Sequence, residues 1–117
     1  MQVERVDFVD VPVRDLDRAI AFYRDVLELP QNPREPTEFE AANVTLALWR
    51  PEEQGVEFSS GASHGIALRV ADVAAARSEL EAKGVDFIGE RDSGVCKMAF
   101  FNDPDGNSLI LHRRYAP

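Results

Sequence analysis

Few side chains in this sequence carry reactive groups: two histidines, His64 and His112, and a single cysteine, Cys96. His112 ends an apolar run and could shuttle a proton, or simply be a satisfied strand residue. Asp10 stands between Val9 and Val11, where it could anchor a ligand cation or act as a base. A structural ion pair with Arg69 is its competing role. Asp10 and His112 would form an acid–base pair only within hydrogen-bond reach of each other. Trp49, the one tryptophan, could stack on a planar or cationic ligand, or pack as a core or interface aromatic. Lys97 adjoins Cys96, but neighbours on a strand point apart, so Cys96 reads as a structural thiol. Asp103, Asp105 and Asn107 suggest calcium ligands, yet Pro104 and Gly106 suit a tight turn and no closing glutamate follows. His64, after Gly61-Ala62-Ser63, reads as a loop residue. No phosphate-binding glycine loop, C-x-x-C or H-E-x-x-H occurs, so nucleotide and zinc-protease chemistry has no support.

The elements that must position these groups follow from periodicity. Val6 to Val13 alternates and predicts a strand with Val9, Val11 and Val13 on one face and Phe8, Asp10 and Pro12 on the other. Asp15 caps a helix to about Glu28, with Leu16, Ala19, Ile20, Tyr23 and Leu27 as its buried stripe. Pro30, Pro33 and Pro36 leave room for a short edge strand at most. Residues 38–41 and 44–50 predict a hairpin through Ala42-Asn43, and the polar stretch 51–61 a linker. The second half repeats the first. A strand over 65–70 leads to Asp72, which caps a helix to about Lys83 with Val73, Ala76 and Leu80 inward. Gly84 stops that helix, and strands follow over 85–89, 95–101 and 108–113. Val13, Asp15 and Ala19 recur as Val70, Asp72 and Ala76 at the same strand-to-helix junction, the mark of a duplicated unit.

Composition narrows the field of functions. The 117 residues suffice for one domain of two halves. With 21 acidic against 13 basic residues the net charge is -8, a poor balance for gripping nucleic-acid phosphates. No apolar run reaches the ~20 residues of a membrane span, and the N-terminus lacks a secretory signal. One cysteine fits a reducing cytoplasm.

Two motifs, V-R-D-L-D-R-A-I-A-F-Y-R-D-V-L-E-L (Val13 to Leu29) and F-F-N-D-P-D-G-N-S-L-I-L (Phe100 to Leu111), resemble the vicinal oxygen chelate superfamily, which holds glyoxalase I, extradiol dioxygenases and bleomycin-resistance proteins. The resemblance implies an α+β fold of two βαβββ modules, over about 4–50 and 63–115 with a linker at 51–62, whose curved mixed sheets surround a cup-like cavity. It implies a homodimer.

The family's enzymes place metal ligands on the first and last strands of each module. Carried onto this chain, those positions hold Phe8, Thr45, Gly65 and Ile110. None is a strong ligand, so the resemblance implies no metal cofactor and no inherited metal-dependent reaction. A metal held instead by Asp10, His64 and His112 would need three ligands to converge without a motif. Counting by twos along the strands places Asp10, Asn43, Ala47, Trp49, Ala67, Arg69 and His112 beside those positions, an apolar floor with polar edges. The expected role is binding of a small organic ligand, cationic or amphipathic, as in the bleomycin-resistance or antibiotic-sequestering branch. A metal-independent lyase or isomerase using Asp10 or His112, and an interaction module with a filled cup, are the alternatives.

Overall fold

The computed structural model describes residues 1–117. The chain divides into two compact units, Met1–Ser60 and Gly61–Pro117. In each, a strand and a capped helix are followed by antiparallel strands, the last of which lies parallel to the first.

In the first unit, β1 (Phe8–Pro12) leads to α1 (Leu16–Ala21), then β2 (Glu38–Glu40) and β3 (Thr45–Trp49), with sheet order β1-β3-β2. β1 runs parallel to β3, a pairing that needs a crossover, and the helix supplies it. The Asp15 carboxylate accepts the Arg18 backbone N–H at 3.1 Å and so satisfies one free donor of the first turn. The helix continues as a wider π turn over Phe22–Val26, closed by Leu27 N–H to Phe22 C=O at 3.0 Å. That turn buries Phe22 beside Tyr23, a residue outside the expected stripe, because regular 3.6-residue spacing does not apply across it. Tyr23 and Phe39 are fully buried with ring centroids 6.0 Å apart, and Val11, Val13, Leu46 and Leu48 complete the core. The edge strand allowed by the proline-rich stretch is a single bridge, Gln31 to Phe39. The stretch expected to be a linker begins as a 3-10 turn, Pro51–Gln54, with Pro51 buried and Gly55 in the left-handed region at φ 72°. Proline at the start of a helical turn loses no needed donor, which is why a polar segment still takes up structure there.

In the second unit, β4 (Ile66–Arg69) and α2 (Val73–Ala82) precede β5 (Phe87–Asp92), β6 (Cys96–Asn102) and β7 (Ser108–Arg114), ordered β4-β7-β6-β5. Asp72 repeats the cap of Asp15, accepting Ala75 N–H at 3.0 Å. The predicted strand over 85–89 begins and ends later. Val85 N–H still bonds Leu80 C=O to finish the helix, and Gly84 takes φ 92° to allow it. A bulge between Phe87 and Gly89 then shifts the β5–β6 register. Leu80, Ala99, Phe101, Leu109 and Leu111 are buried between helix and sheet. Arg77 on α2 reaches Glu90 at 2.6 Å while lying 4.9 Å over the Phe87 ring.

The D-P-D-G-N segment is a turn, as its prolyl and glycyl residues predict. The Asp103 carboxylate accepts the Asp105 and Asn107 backbone N–H groups and the Asn107 side-chain amide, at 2.9, 2.9 and 2.8 Å. The Asn107 side-chain Oδ1 accepts Gly61 N–H at 2.6 Å, tying the start of this unit to the β6–β7 turn. No helix is long and apolar enough to cross a membrane.

Candidate functional site

Each sheet buries one face under its helix and leaves the other partly open. On the first unit the open face carries Phe8, Asp10 and Pro12 of β1 and Thr45, Ala47 and Trp49 of β3, paired in that order. Glu40 and Glu38 of β2 stand opposite Thr45 and Ala47. Phe8 is 54% exposed and Trp49 half-buried, so this face offers aromatic surface. The Asp10 carboxylate is exposed and forms no ion pair. Thr45 is buried, and its hydroxyl donates to the Glu40 carboxylate at 2.9 Å.

On the second unit the open face is organised in rows across the strands. One row runs Ala67, Ile110, Phe100, Gly89. The next runs Arg69, His112, Met98, Arg91. Arg69 and His112 are thus direct neighbours, with Ile110 one pleat away. Cys96 pairs with Arg114 beyond them. Phe100 and Phe101 take opposite faces as alternation requires: Phe101 is fully buried and Phe100 half-exposed. His64 lies exposed in the loop before β4. Glu38, Glu40, Arg91, Met98 and Arg114 were not expected on these faces. Their signal lay in strand alternation, which becomes usable only once the hairpin registers are known.

The repeat now has a structural ruler. Val13 N–H bonds Trp49 C=O at 2.9 Å, and Val70 N–H bonds His112 C=O at 3.1 Å. Trp49 and His112 are therefore equivalent, and two residues back Ala47 matches Ile110. Thr45, the position carried over from the resemblance, matches Ser108 instead. Neither Ala47 nor Thr45 changes the chemistry, since alanine brings no donor and the threonine hydroxyl is spent on Glu40.

In the second unit the corresponding space is filled. A Cβ placed on Gly65 would lie 2.7 Å from Ile110 Cδ1, so Ile110 occupies the volume a side chain at 65 would need. No three His, Cys, Asp or Glu side chains gather to hold an ion. The divalent metal that serves the enzymes of the resembled superfamily does not fit the residues present at these positions.

A family model for the Glyoxalase/Bleomycin resistance protein/Dioxygenase superfamily matches residues 5–111. The chain belongs to this superfamily. Among solved structures, TnmS3, an antibiotic binding protein from a Streptomyces species, is similar at 26% identity and TM-score 0.76, covering 98% of this chain and 99% of that one. A lactoylglutathione lyase from Agrobacterium tumefaciens is similar at 22% identity and TM-score 0.77, covering 95% and 94%. A glyoxalase/bleomycin resistance protein/dioxygenase from Nocardioides is similar at 23% identity and TM-score 0.77, covering 97% and 85%. Among curated proteins no significant match is found. The chain carries both helix caps and the D-P-D-G-N turn, with Phe8, Ala47, Gly65 and Ile110 at the positions compared above.

Proposed function

We propose that this protein binds a small organic molecule on its open sheet faces without a metal, as an antibiotic-sequestering or related binding protein does. The observation that carries the reading is the substitution at the old ligand positions. Phe8, Ala47, Gly65 and Ile110 bring no donor, and Ile110 packs into the space above Gly65. What remains is part-exposed apolar and aromatic surface edged by charge, the usual makeup of a site for an amphipathic ligand. The similarity to an antibiotic binding protein at 26% identity supports the same direction. A homodimer in the cytoplasm is the setting we infer, with the chain as one domain of two modules.

A thermal-shift screen of metabolites and antibiotics tests the reading. The expected result is a dose-dependent rise in Tm with one chemical class and no turnover of the bound molecule. Consumption of the ligand would instead make the protein a metal-independent lyase or isomerase, with Asp10 or His112 as the first residues to replace. Stoichiometric metal in the purified protein would overturn the proposal.

A further inference from the structure

In an acidic chain, the charged groups of one sheet face are all basic. The open face of the second unit carries Arg69, Arg91, His112 and Arg114 and not one carboxylate. Arg69, Arg91 and Arg114 form no ion pair, as Arg34 and Arg113 elsewhere do not, whereas Arg5, Arg24, Arg50 and Arg77 each find an acidic partner. With no carboxylate among their neighbours on this face, the three guanidinium groups are left to meet an outside anion.

We propose that this face binds a flat apolar molecule through its carboxylate or another oxyanion, with Arg69 and Arg91 holding the anion. The inference rests on the reading of the face as a ligand surface and names the ligand's chemistry. Arg69 and Arg91 end the row that runs through His112 and Met98. Three strand spacings separate them, about 14 Å, short enough for two long side chains to lean inward over the row. The planar guanidinium fork matches a carboxylate in two hydrogen bonds, which a point charge does not. The neighbouring row supplies the floor for the rest of the molecule. Ile110 and Phe100 give apolar surface, and Ala67 and Gly89 keep its ends low. A Cβ on Gly89 would meet nothing within 4 Å, so the space above it is open. A compact inorganic anion would leave that row unused.

The test uses one ring with three charges: naphthoate, naphthylmethanol and naphthylmethylammonium, titrated calorimetrically into the intact protein. Naphthoate is expected to bind at least about tenfold more tightly than the alcohol, the ammonium more weakly than either, and added salt to weaken naphthoate alone. Replacing both arginines (Arg69→Ala with Arg91→Ala) should bring naphthoate down to the alcohol's affinity. Arg34→Ala, in an exposed loop, should change nothing. Equal binding of the three probes would overturn the anion preference and leave the small-molecule reading standing. Failure of all three, while the wider screen still raises Tm, would do the same. Failure of both probes and screen would remove the two readings together. If the double variant alters the oligomeric state in sedimentation but not naphthoate affinity, the arginines serve assembly and the proposal is wrong.

Discussion

Two residue positions bear most directly on the proposal of a metal-free site. Gly65 and Ile110 behave as a unit, because Ile110 Cδ1 lies 2.7 Å from where a Cβ at 65 would stand. Gly65→Ala should therefore turn the end of the half-exposed Ile110 side chain aside, at a cost of about 0.5–1 kcal/mol. In an Ile110→Val background, which deletes the offending carbon, most of that cost should vanish. Urea denaturation of the four proteins in this cycle measures the coupling, and additive effects would show that the contact does not matter. Asn107 is the second sensitive residue. Its amide satisfies the buried Asp103 carboxylate and accepts Gly61 N–H at once. Asn107→Ala should lower stability by about 2–3 kcal/mol, since both partners lose a hydrogen bond where water is scarce. The D-P-D-G-N motif is thus a fastening of the second unit, and its Asp103 carboxylate is committed to donors within the turn.

At the level of elements, the two helix starts are the clearest case of sequence dictating structure. Asp15 and Asp72 cap equivalent helices through the same i+3 backbone donor. Asp72→Ala should cost about 1 kcal/mol and Asp72→Ser much less, as read from thermal unfolding. The end of β7 is held differently. The Tyr115 hydroxyl donates to the Asp92 carboxylate at 2.6 Å, linking the tail to β5. That bond, followed by the Gly94 N–H, holds the Asp92 carboxyl below its usual range, and the same carboxylate raises the Tyr115 hydroxyl. The lowered acid stabilises the fold above the ordinary carboxylate range and loses that effect as pH falls through the folded value. The raised phenol stabilises it below the ordinary tyrosine range and loses that effect as pH rises through the folded value. Tyr115→Phe should accordingly lower Tm around neutrality. The gap to wild type should close toward both strongly acidic and strongly alkaline pH.

For the whole molecule the decisive feature is what the open faces present. The first unit's face carries Asp10, Glu38 and Glu40 about its aromatics, and the second unit's face carries the arginines. The two faces thus differ in the sign of their charge, which the net charge of -8 conceals. Metal analysis of the purified protein should find zinc, nickel, manganese and iron well below one ion per chain, and adding these ions should leave Tm unchanged. A metal-dependent rise in Tm would contradict the reading of Gly65 and Ile110, because those positions have no donor to give.

By itself the sequence determined the duplicated module, both helix caps and the D-P-D-G-N turn. Each of these depends on residue type and local spacing, which a chain carries before it folds. With the ligand positions taken from the resemblance, alternation also put Asp10, Trp49, Arg69 and His112 on the same faces as Phe8, Thr45, Gly65 and Ile110. Only the tertiary structure decided which of them meet. It matched Ala47 rather than Thr45 with Ile110, set Ile110 into the space over Gly65, and aligned Arg91 and Met98 with His112 and Arg69. Those facts depend on the register between strands far apart in sequence. Register is set by the crossover helix, the hairpin turns and the bulge in β5, none of which alternation along a single strand can report.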